Sequence, residues 1–173
     1  MKKPLILLIV LTVLMSCSPG SPRDTVKEAE EISTVIDAWH KDVAEYRFDS
    51  YFSAMDEESF FIGTDANERW TKTQFMEFSQ PFFERESTWD FKAIDRNLII
   101  DPDYPIAWFD EVLDTWMGLC RGSGVLKKVE GQWLLEHYVL SLAVPNDSMD
   151  AVIQILPSKA HQLDLYKPAS PGN

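Results

Sequence analysis

Apolar residues recur at helical spacing along the first half of the chain and alternate with polar residues along the second half. A capping box at Thr25 and Glu28 predicts the start of a long helix. Asp49 is placed to cap a second, short helix over residues 50–55. The long helix is amphipathic, with a single apolar face. That face consists of Ile32, Val35, Ile36, Trp39, Val43 and Tyr46.

A short strand and a third helix come next. Residues 60–62 are apolar and a turn over 63–65 follows them, which predicts a strand and its end. Thr71 and Gln74 form a second capping box, so a helix is expected to begin there. Pro81 should kink or end that helix, because proline lacks the backbone N–H that a helix interior uses.

The remainder of the chain is predicted to be mostly strand. A turn at Glu130 and Gly131 joins the last two strands into a hairpin. Pro157 ends a short tail helix, and residues 157–173 are expected to be irregular. The predicted elements are strands over 88–101, 106–117, 121–129 and 132–142, and a helix over 147–156 that Asn146 or Asp147 caps.

Helices followed by a run of antiparallel strands are typical of an α+β fold. We expect the N-terminal helices to pack on one face of a curved antiparallel sheet and to leave a cone with a cavity between the layers. None of the predicted strands has a cleanly polar face, so little of the sheet can face water. A second copy of the chain is therefore expected to cover the other face, as a homodimer.

The alternation assigns side chains to the two faces of each strand. On the strand over 106–117, Trp108 and Asp110 share one face and Glu111 lies on the other. Only one of these two carboxylates is therefore expected to reach a pocket. On the last strand, one face is predicted to carry Trp133, Leu135, His137, Val139 and Ser141.

Polar residues inside the apolar pattern are the candidates for a site. His137 titrates near neutral pH, so it is either a proton donor or acceptor in the pocket or a core histidine bonded to a carbonyl or carboxylate. Asp110 or Glu111 is either a base whose pKa an apolar cavity raises, or a member of an ion pair. Arg121 either clamps an anionic ligand or pairs with one of these carboxylates.

Other residues complete the predicted ligand pocket. Asp65 either faces the pocket or caps its turn, and Ser141 shares a face with His137. Trp70 and Trp108 are suited to an apolar ligand, although most tryptophans belong to a core or an interface. The pocket is predicted to hold a small, partly apolar molecule.

Metal and cofactor sites are not expected. The histidines, His40, His137 and His161, are widely separated and do not have the spacing of a metal site. Cys120 lies in an apolar strand region and is predicted to be a buried small hydrophobe. No metal or other cofactor is therefore assigned.

The segments Phe61-Ile-Gly-Thr-Asp65 and Glu68-Arg69-Trp70 resemble the nuclear transport factor 2-like superfamily. The closing segment 133–141, with Val144-Pro-Asn146 behind it, is similar to the SnoaL-like branch of that superfamily. The resemblance covers about residues 24 to 156. It implies a cone-shaped fold and dimerisation through the sheet, but no single activity, since one fold hosts many functions.

The first residues predict an export signal. Lys2 and Lys3 precede an apolar run over 5–15 that is too short to span a bilayer comfortably. Its end resembles a lipobox, which implies that Cys17 is acylated after removal of residues 1–16. Residues 17–23 then form a flexible tether. The resemblance implies the bacterial cell envelope, at the periplasmic face of the outer membrane.

Net charge narrows the set of partners. The formal charge is −12 at pH 7, which excludes a basic surface for nucleic acid and a polybasic contact with lipid. Membrane attachment would therefore rest on the acyl chains alone. The leading hypothesis is a lipid-anchored, non-catalytic binding or association module of residues 24–156. The alternative is an acid–base enzyme of the polyketide cyclase or ketosteroid isomerase type, in which His137 acts with Asp110 or Glu111.

Overall fold

The computed structural model describes residues 24–167, so the predicted signal peptide, Cys17 and the tether lie outside the described residues. The helices are α1 (Thr25–Ala44), α2 (Phe48–Ser53), α3 (Lys72–Glu84), α4 (Met149–Ile155) and α5 (Lys159–Leu165). The strands are β1 (Met55–Ile62), β2 (Arg69–Thr71), β3 (Lys92–Ile100), β4 (Ile106–Thr115), β5 (Gly118–Val129) and β6 (Gln132–Leu142).

The first two helices begin slightly earlier than predicted. The capping box at Thr25 is wrong, because Asp24 caps α1 and accepts the Lys27 N–H at 3.1 Å. Asp49 does not cap α2 either, since that helix already begins at Phe48. Asp49 lies in the first turn, where a negative charge favours the helix dipole.

Helix α3 begins as predicted. Thr71 accepts the Gln74 N–H at 3.3 Å, and the Gln74 side chain accepts the Thr71 N–H at 3.0 Å. This reciprocal pair confirms the capping box. Pro81 lies in the last turn, and the helix ends three residues later at Glu84.

The strands form one six-stranded sheet among the described residues, in the order β2-β1-β6-β5-β4-β3. Strand β6 pairs antiparallel with β5 and parallel with β1. The sheet is therefore mixed, which corrects the expectation of a purely antiparallel one. Strand β1 is long enough for this pairing because it begins at Met55, well before the predicted strand over 60–62. The α+β class, with helices packed on one face of a curved sheet, is confirmed.

A bulge interrupts the alternation of β6. Val125 of β5 pairs with His137 and Leu126 pairs with Leu135, which leaves Glu136 without a partner in the ladder. An extra residue in one strand moves every later side chain to the opposite face. The predicted face of β6 is therefore right before Glu136 and reversed after it.

We call the sheet face under α1–α3 the inner face and the opposite one the outer face. Tyr138 and Leu140 lie on the inner face and are 1% and 5% exposed. His137, Val139 and Ser141 turn to the outer face instead, which corrects their predicted position beside Trp133. The bulge thus exchanges the residues that face the core with those that face away from it.

The core lies between the helices and the inner face. The predicted apolar face of α1 is confirmed for Ile32, Ile36, Trp39 and Val43, which are all buried. Tyr46 is the exception, since it lies beyond the end of α1 and is 42% exposed. The core is rich in aromatic rings, which matters for the site described below.

The C-terminal tail lies on the surface. Helices α4 and α5 bury none of their residues, and α5 occupies part of the stretch that the sequence predicts to be irregular. The Lys167 N–H donates to the Asn67 side chain at 2.7 Å, so the tail returns to the loop between β1 and β2. Within residues 24–167, none of the helices combines the length and apolarity needed to cross a bilayer.

Candidate functional site

Aromatic rings from several elements line a cleft of about 150 Å³ at one end of the core. We call it the aromatic cleft. Its remaining walls are a methionine, a leucine and the loop that follows β1. The rings are those of Phe61, Trp70, Phe75, Phe78, Trp89, Phe91 and Trp116.

Ring packing fixes the walls of the aromatic cleft. Phe61 and Phe75 stack with centroids 4.0 Å apart, and Trp70 and Phe78 stack at 4.5 Å. Trp89 lies 5.8 Å from Phe75 in a third stacked pair. Stacked pairs restrain each other's orientation, so the cleft has rigid walls. Trp70 is the one residue of the predicted pocket that lines it.

A tight loop forms the mouth of the aromatic cleft. The Gly63 N–H donates to the Glu68 carbonyl at 2.8 Å, and the Asp65 N–H donates to the Glu68 carboxylate at 3.1 Å. A Cβ on Gly63 would lie only 2.2 Å from that carboxylate oxygen, so glycine lets the Glu68 side chain fold over the loop. Asp65 accepts the Asn67 N–H at 2.8 Å. Asp65 therefore caps the turn, the second of its two predicted roles.

A buried carboxylate occupies the middle of the inner face. Glu111 of β4 has no exposed surface, and His40 of α1 lies 2.7 Å from its Oε1 atom. Tyr138 donates to the same oxygen at 3.0 Å. Arg96 of β3 donates to Oε2 at 2.9 Å and reaches Asp37 at 2.8 Å with its other arm.

These contacts explain the protonation states of Glu111 and Tyr138. Burial alone would raise the pKa of the Glu111 carboxyl, but the hydrogen bond and charge of His40, together with the charge of Arg96, lower that pKa below its usual value. Burial, and then the negative charge of Glu111, raise the pKa of Tyr138 well above its usual value. Glu111 is therefore a carboxylate at neutral pH, and Tyr138 remains a phenol that donates to it.

Most of the predicted pocket residues lie on the outer face instead. Arg121 pairs with Asp110 at 3.0 Å, so the ion-pair alternative holds for both residues. Trp108 stands on the same strand face as Asp110 and is 41% exposed. Ser141 is exposed beside Arg121, with which it pairs in the ladder.

His137 is separated by the sheet from the buried carboxylate that it was predicted to serve. It lies on the outer face, whereas Glu111 lies on the inner face. Burial, and then the nearby charge of Arg69, lower the pKa of His137, and Glu136 acts in the opposite direction. His137 is therefore mostly neutral at pH 7. The pairing of His137 with Glu111 as acid and base is corrected.

The sequence contains a signal for a buried role of His40, namely its position on the apolar face of α1. His40 lies four residues after Ile36 and three before Val43, so it falls on the buried face of α1. A titratable residue at such a position needs a buried partner. Its partner, Glu111, is 71 residues away and could not be identified from α1 alone.

A second depression is wider than the aromatic cleft. It measures about 690 Å³ and runs along α1 beside the turn between β5 and β6. Its walls include the charged side chains Lys27, Glu30 and Glu31 as well as Trp39 and Trp133. The aromatic cleft is smaller and has more rings in its walls, so it offers an apolar ligand closer contact.

The family comparison gives a match over most of the described chain. A family model with the description SnoaL-like domain matches residues 32–145. No match was found among the curated proteins.

Solved structures share the fold at low sequence identity. An NTF2-like protein of unknown function from Pseudomonas putida KT2440 has a TM-score of 0.57 and 13% identity, covering 72% of this chain and 92% of that one. The association domain of the C. elegans calcium/calmodulin-dependent kinase II has a TM-score of 0.57 and 16% identity, covering 69% and 100%. A protein of unknown function with a cystatin-like fold from Nostoc punctiforme has a TM-score of 0.55 and 9% identity, covering 68% and 92%. At these identities the likeness concerns the fold alone.

Proposed function

The chain belongs to the SnoaL-like domain family, and we propose that within this fold it is a non-catalytic module that holds a small apolar molecule in the aromatic cleft. The observation that carries the proposal is the cleft itself, because a small open cleft with aromatic walls is suited to an apolar ring or alkyl group. We also propose that the module is attached to the bacterial cell envelope through Cys17.

The state of Glu111 supports a non-catalytic role. A general base needs an acceptor that can reach the substrate, within hydrogen-bond distance or through one water. Both oxygens of Glu111 already accept hydrogen bonds from protein side chains, and the carboxylate has no exposed surface. His137 and Asp110 lie on the outer face and do not complete an acid–base pair with it. The arrangement of Glu111 therefore supports the non-catalytic proposal over an acid–base pair of His137 with Glu111.

The proposal can be tested with toluene as the probe. We expect toluene to shift the indole N–H signals of Trp70 and Trp89 in a two-dimensional ¹H–¹⁵N NMR spectrum. Replacing Trp70 with alanine should weaken this binding about fivefold, since an aromatic pair contributes about 1 kcal/mol beyond its buried area. Trp108→Ala is the matched control, because that tryptophan stands on the outer face. A spectrum in which neither signal moves would contradict the proposal.

The outer face favours a second role, association between two copies of the chain. It exposes apolar side chains at Ile99, Ile106 and Trp108, which are 53%, 39% and 41% exposed. Exposed apolar patches of this kind mark interaction surfaces. The solved association domain with the same fold is consistent with this use of the sheet.

Sedimentation velocity tests the association. The wild-type protein is expected to sediment as a dimer, and Trp108→Asp as a monomer, because a charge would then be buried at the interface. Trp116→Asp should leave the dimer intact, since Trp116 is 81% exposed at the mouth of the aromatic cleft, away from the outer face. A monomeric wild type at micromolar concentration would exclude this role.

The envelope attachment rests on the N-terminal sequence, where Lys2, Lys3 and the apolar run over 5–15 lead to Cys17. Replacing Cys17 with alanine is expected to move the protein from the membrane fraction of a bacterial host to the soluble fraction. Ser18→Ala serves as the control and should stay with the membrane. Equal partitioning of the wild type and Cys17→Ala would refute the lipid anchor.

A further inference from the structure

Among the described residues, the walls of the aromatic cleft contain a negatively charged side chain and no positively charged one. Its walls are mostly aromatic, and an aromatic ring carries partial negative charge on its π face, which attracts cations. Among the described residues that line the cleft, Glu68 is the only charged one. Aromatic rings and one carboxylate therefore line the same small volume.

Glu68 is held at this position and is not neutralised. One carboxylate oxygen accepts the Asp65 N–H at 3.1 Å, which orients the side chain over Gly63 at the mouth. Among the described residues Glu68 forms no ion pair. A carboxylate that is partly buried and lacks a cationic partner favours a cationic ligand.

The basic side chains nearest in sequence are engaged elsewhere. Arg69 lies 3.9 Å from the centroid of Phe60, a ring that shares the outer face with His137. Lys72 donates to the Glu57 carboxylate at 2.7 Å and to the Met55 carbonyl at 2.9 Å. Neither residue lines the aromatic cleft, so neither neutralises the Glu68 carboxylate there.

Size and charge define the ligand further. The volume of about 150 Å³ is well below that of a drug-sized pocket, so it fits one compact head group rather than a whole large molecule. The net charge of −12 would also attract a cation toward the protein from solution.

We infer that the aromatic cleft binds an organic cation through a methylated ammonium head group, with the rings around its methyl groups and Glu68 at its charge. This inference rests on the proposed binding function and adds the chemical class of the ligand. A quaternary ammonium fits such a site because its methyl groups are apolar while its charge attracts both π faces and a carboxylate.

A pair of isosteric probes tests the inference. Choline and 3,3-dimethylbutan-1-ol have the same shape, but only choline carries a charge. Titrations at matched ionic strength, followed by the indole signals of Trp70 and Trp89, give both affinities. We expect choline to bind at least tenfold more tightly, because the cation–π and carboxylate contacts are available to it alone.

Two variants locate the source of the preference. Glu68→Gln keeps an oxygen that accepts the Asp65 N–H, so the loop should remain folded while the choline preference falls at least threefold. Glu58→Gln removes an exposed carboxylate that does not line the cleft, and should keep the preference. Thermal melts of both variants establish that they are folded.

The outcomes separate the two ideas. If the neutral alcohol binds as tightly as choline, the inference is wrong while the proposed binding function stands. If Glu68→Gln keeps the full preference, the carboxylate does not select the ligand and the inference is also wrong. If neither choline nor the alcohol binds while toluene does, the inference of a cationic ligand is wrong and the proposed binding of an apolar molecule stands. If none of the three binds, the binding function fails together with the inference.

Discussion

Replacing Glu111 with alanine is expected to lower the free energy of unfolding by about 3–5 kcal/mol, because it breaks a buried ion-pair network by removing its central member. The variant leaves Arg96, whose side chain is 12% exposed, without its partner on β4, and leaves His40 without a buried acceptor. Tyr138 loses its acceptor as well. Urea denaturation of the wild type and the variant measures the difference.

Asp110→Ala is the matched control for this experiment. Asp110 is the preceding residue of the same strand and also pairs with an arginine, but the side chains of Arg121 and Asp110 are 56% and 44% exposed. An exposed pair contributes less than about 1 kcal/mol. Similar losses for Asp110→Ala and Glu111→Ala would show that burial of the network does not matter, contrary to this expectation.

Acid should remove the same stabilisation. Because the pKa of Glu111 is lower in the folded chain than in the unfolded chain, its contribution is fully present above the unfolded value of about 4.5. The contribution is lost as the pH falls below that value and through the lower folded pKa. The stability difference between the wild type and Glu111→Gln should therefore be constant near neutral pH and shrink in acid. A difference that grows in acid would have the wrong sign.

The second large effect is expected from Phe75→Ala, which should cost about 3–5 kcal/mol of unfolding free energy, as truncation of a buried phenylalanine does. Phe75 is 1% exposed and stacks on Phe61, Trp70 and Trp89. Its removal leaves a cavity that opens into the aromatic cleft. Urea denaturation gives the energy, and a ligand larger than toluene should then bind the variant better than the wild type.

Phe78→Ala provides the comparison on the same helix. Phe78 also lines the aromatic cleft and stacks on Trp70, but it is 41% exposed. Its truncation should cost only about 1–2 kcal/mol, since less apolar area leaves water when this side chain folds. Equal losses of unfolding free energy for the two substitutions would contradict the expectation that the buried Phe75 contributes more than the exposed Phe78.

Local patterns predicted some of the elements well. The bounds of β6 and the capping box of α3 follow from short-range signals, namely alternation and a pair of residues three apart. The helical spacing from Ile32 to Val43 identified the buried face of α1 in the same way. In each case the signal that marks the element lies in residues close together in sequence.

The buried network around Glu111 was harder to predict, because its members come from distant parts of the chain. The network forms only when α1 packs on the sheet and brings together His40, Arg96, Glu111 and Tyr138. The parallel pairing of β1 with β6 was also hard to predict, because no hairpin joins these two strands. The bulge at Glu136 made the predicted faces wrong for the rest of β6, since a pattern with a period of two does not reveal one extra residue. That single residue moved His137 out of the predicted pocket and moved Tyr138 into the core.

The same bulge makes β6 tolerant of one particular change in length. Leu135 and His137, on either side of Glu136, pair with adjacent residues of β5, so loss of the one codon for Glu136 would leave a regular ladder with every side chain on its present face. Loss of a codon later in the strand would instead turn the residues beyond it to the opposite face and exchange core residues with outer-face residues. In this chain the position of a length change in β6 therefore decides whether the core survives it.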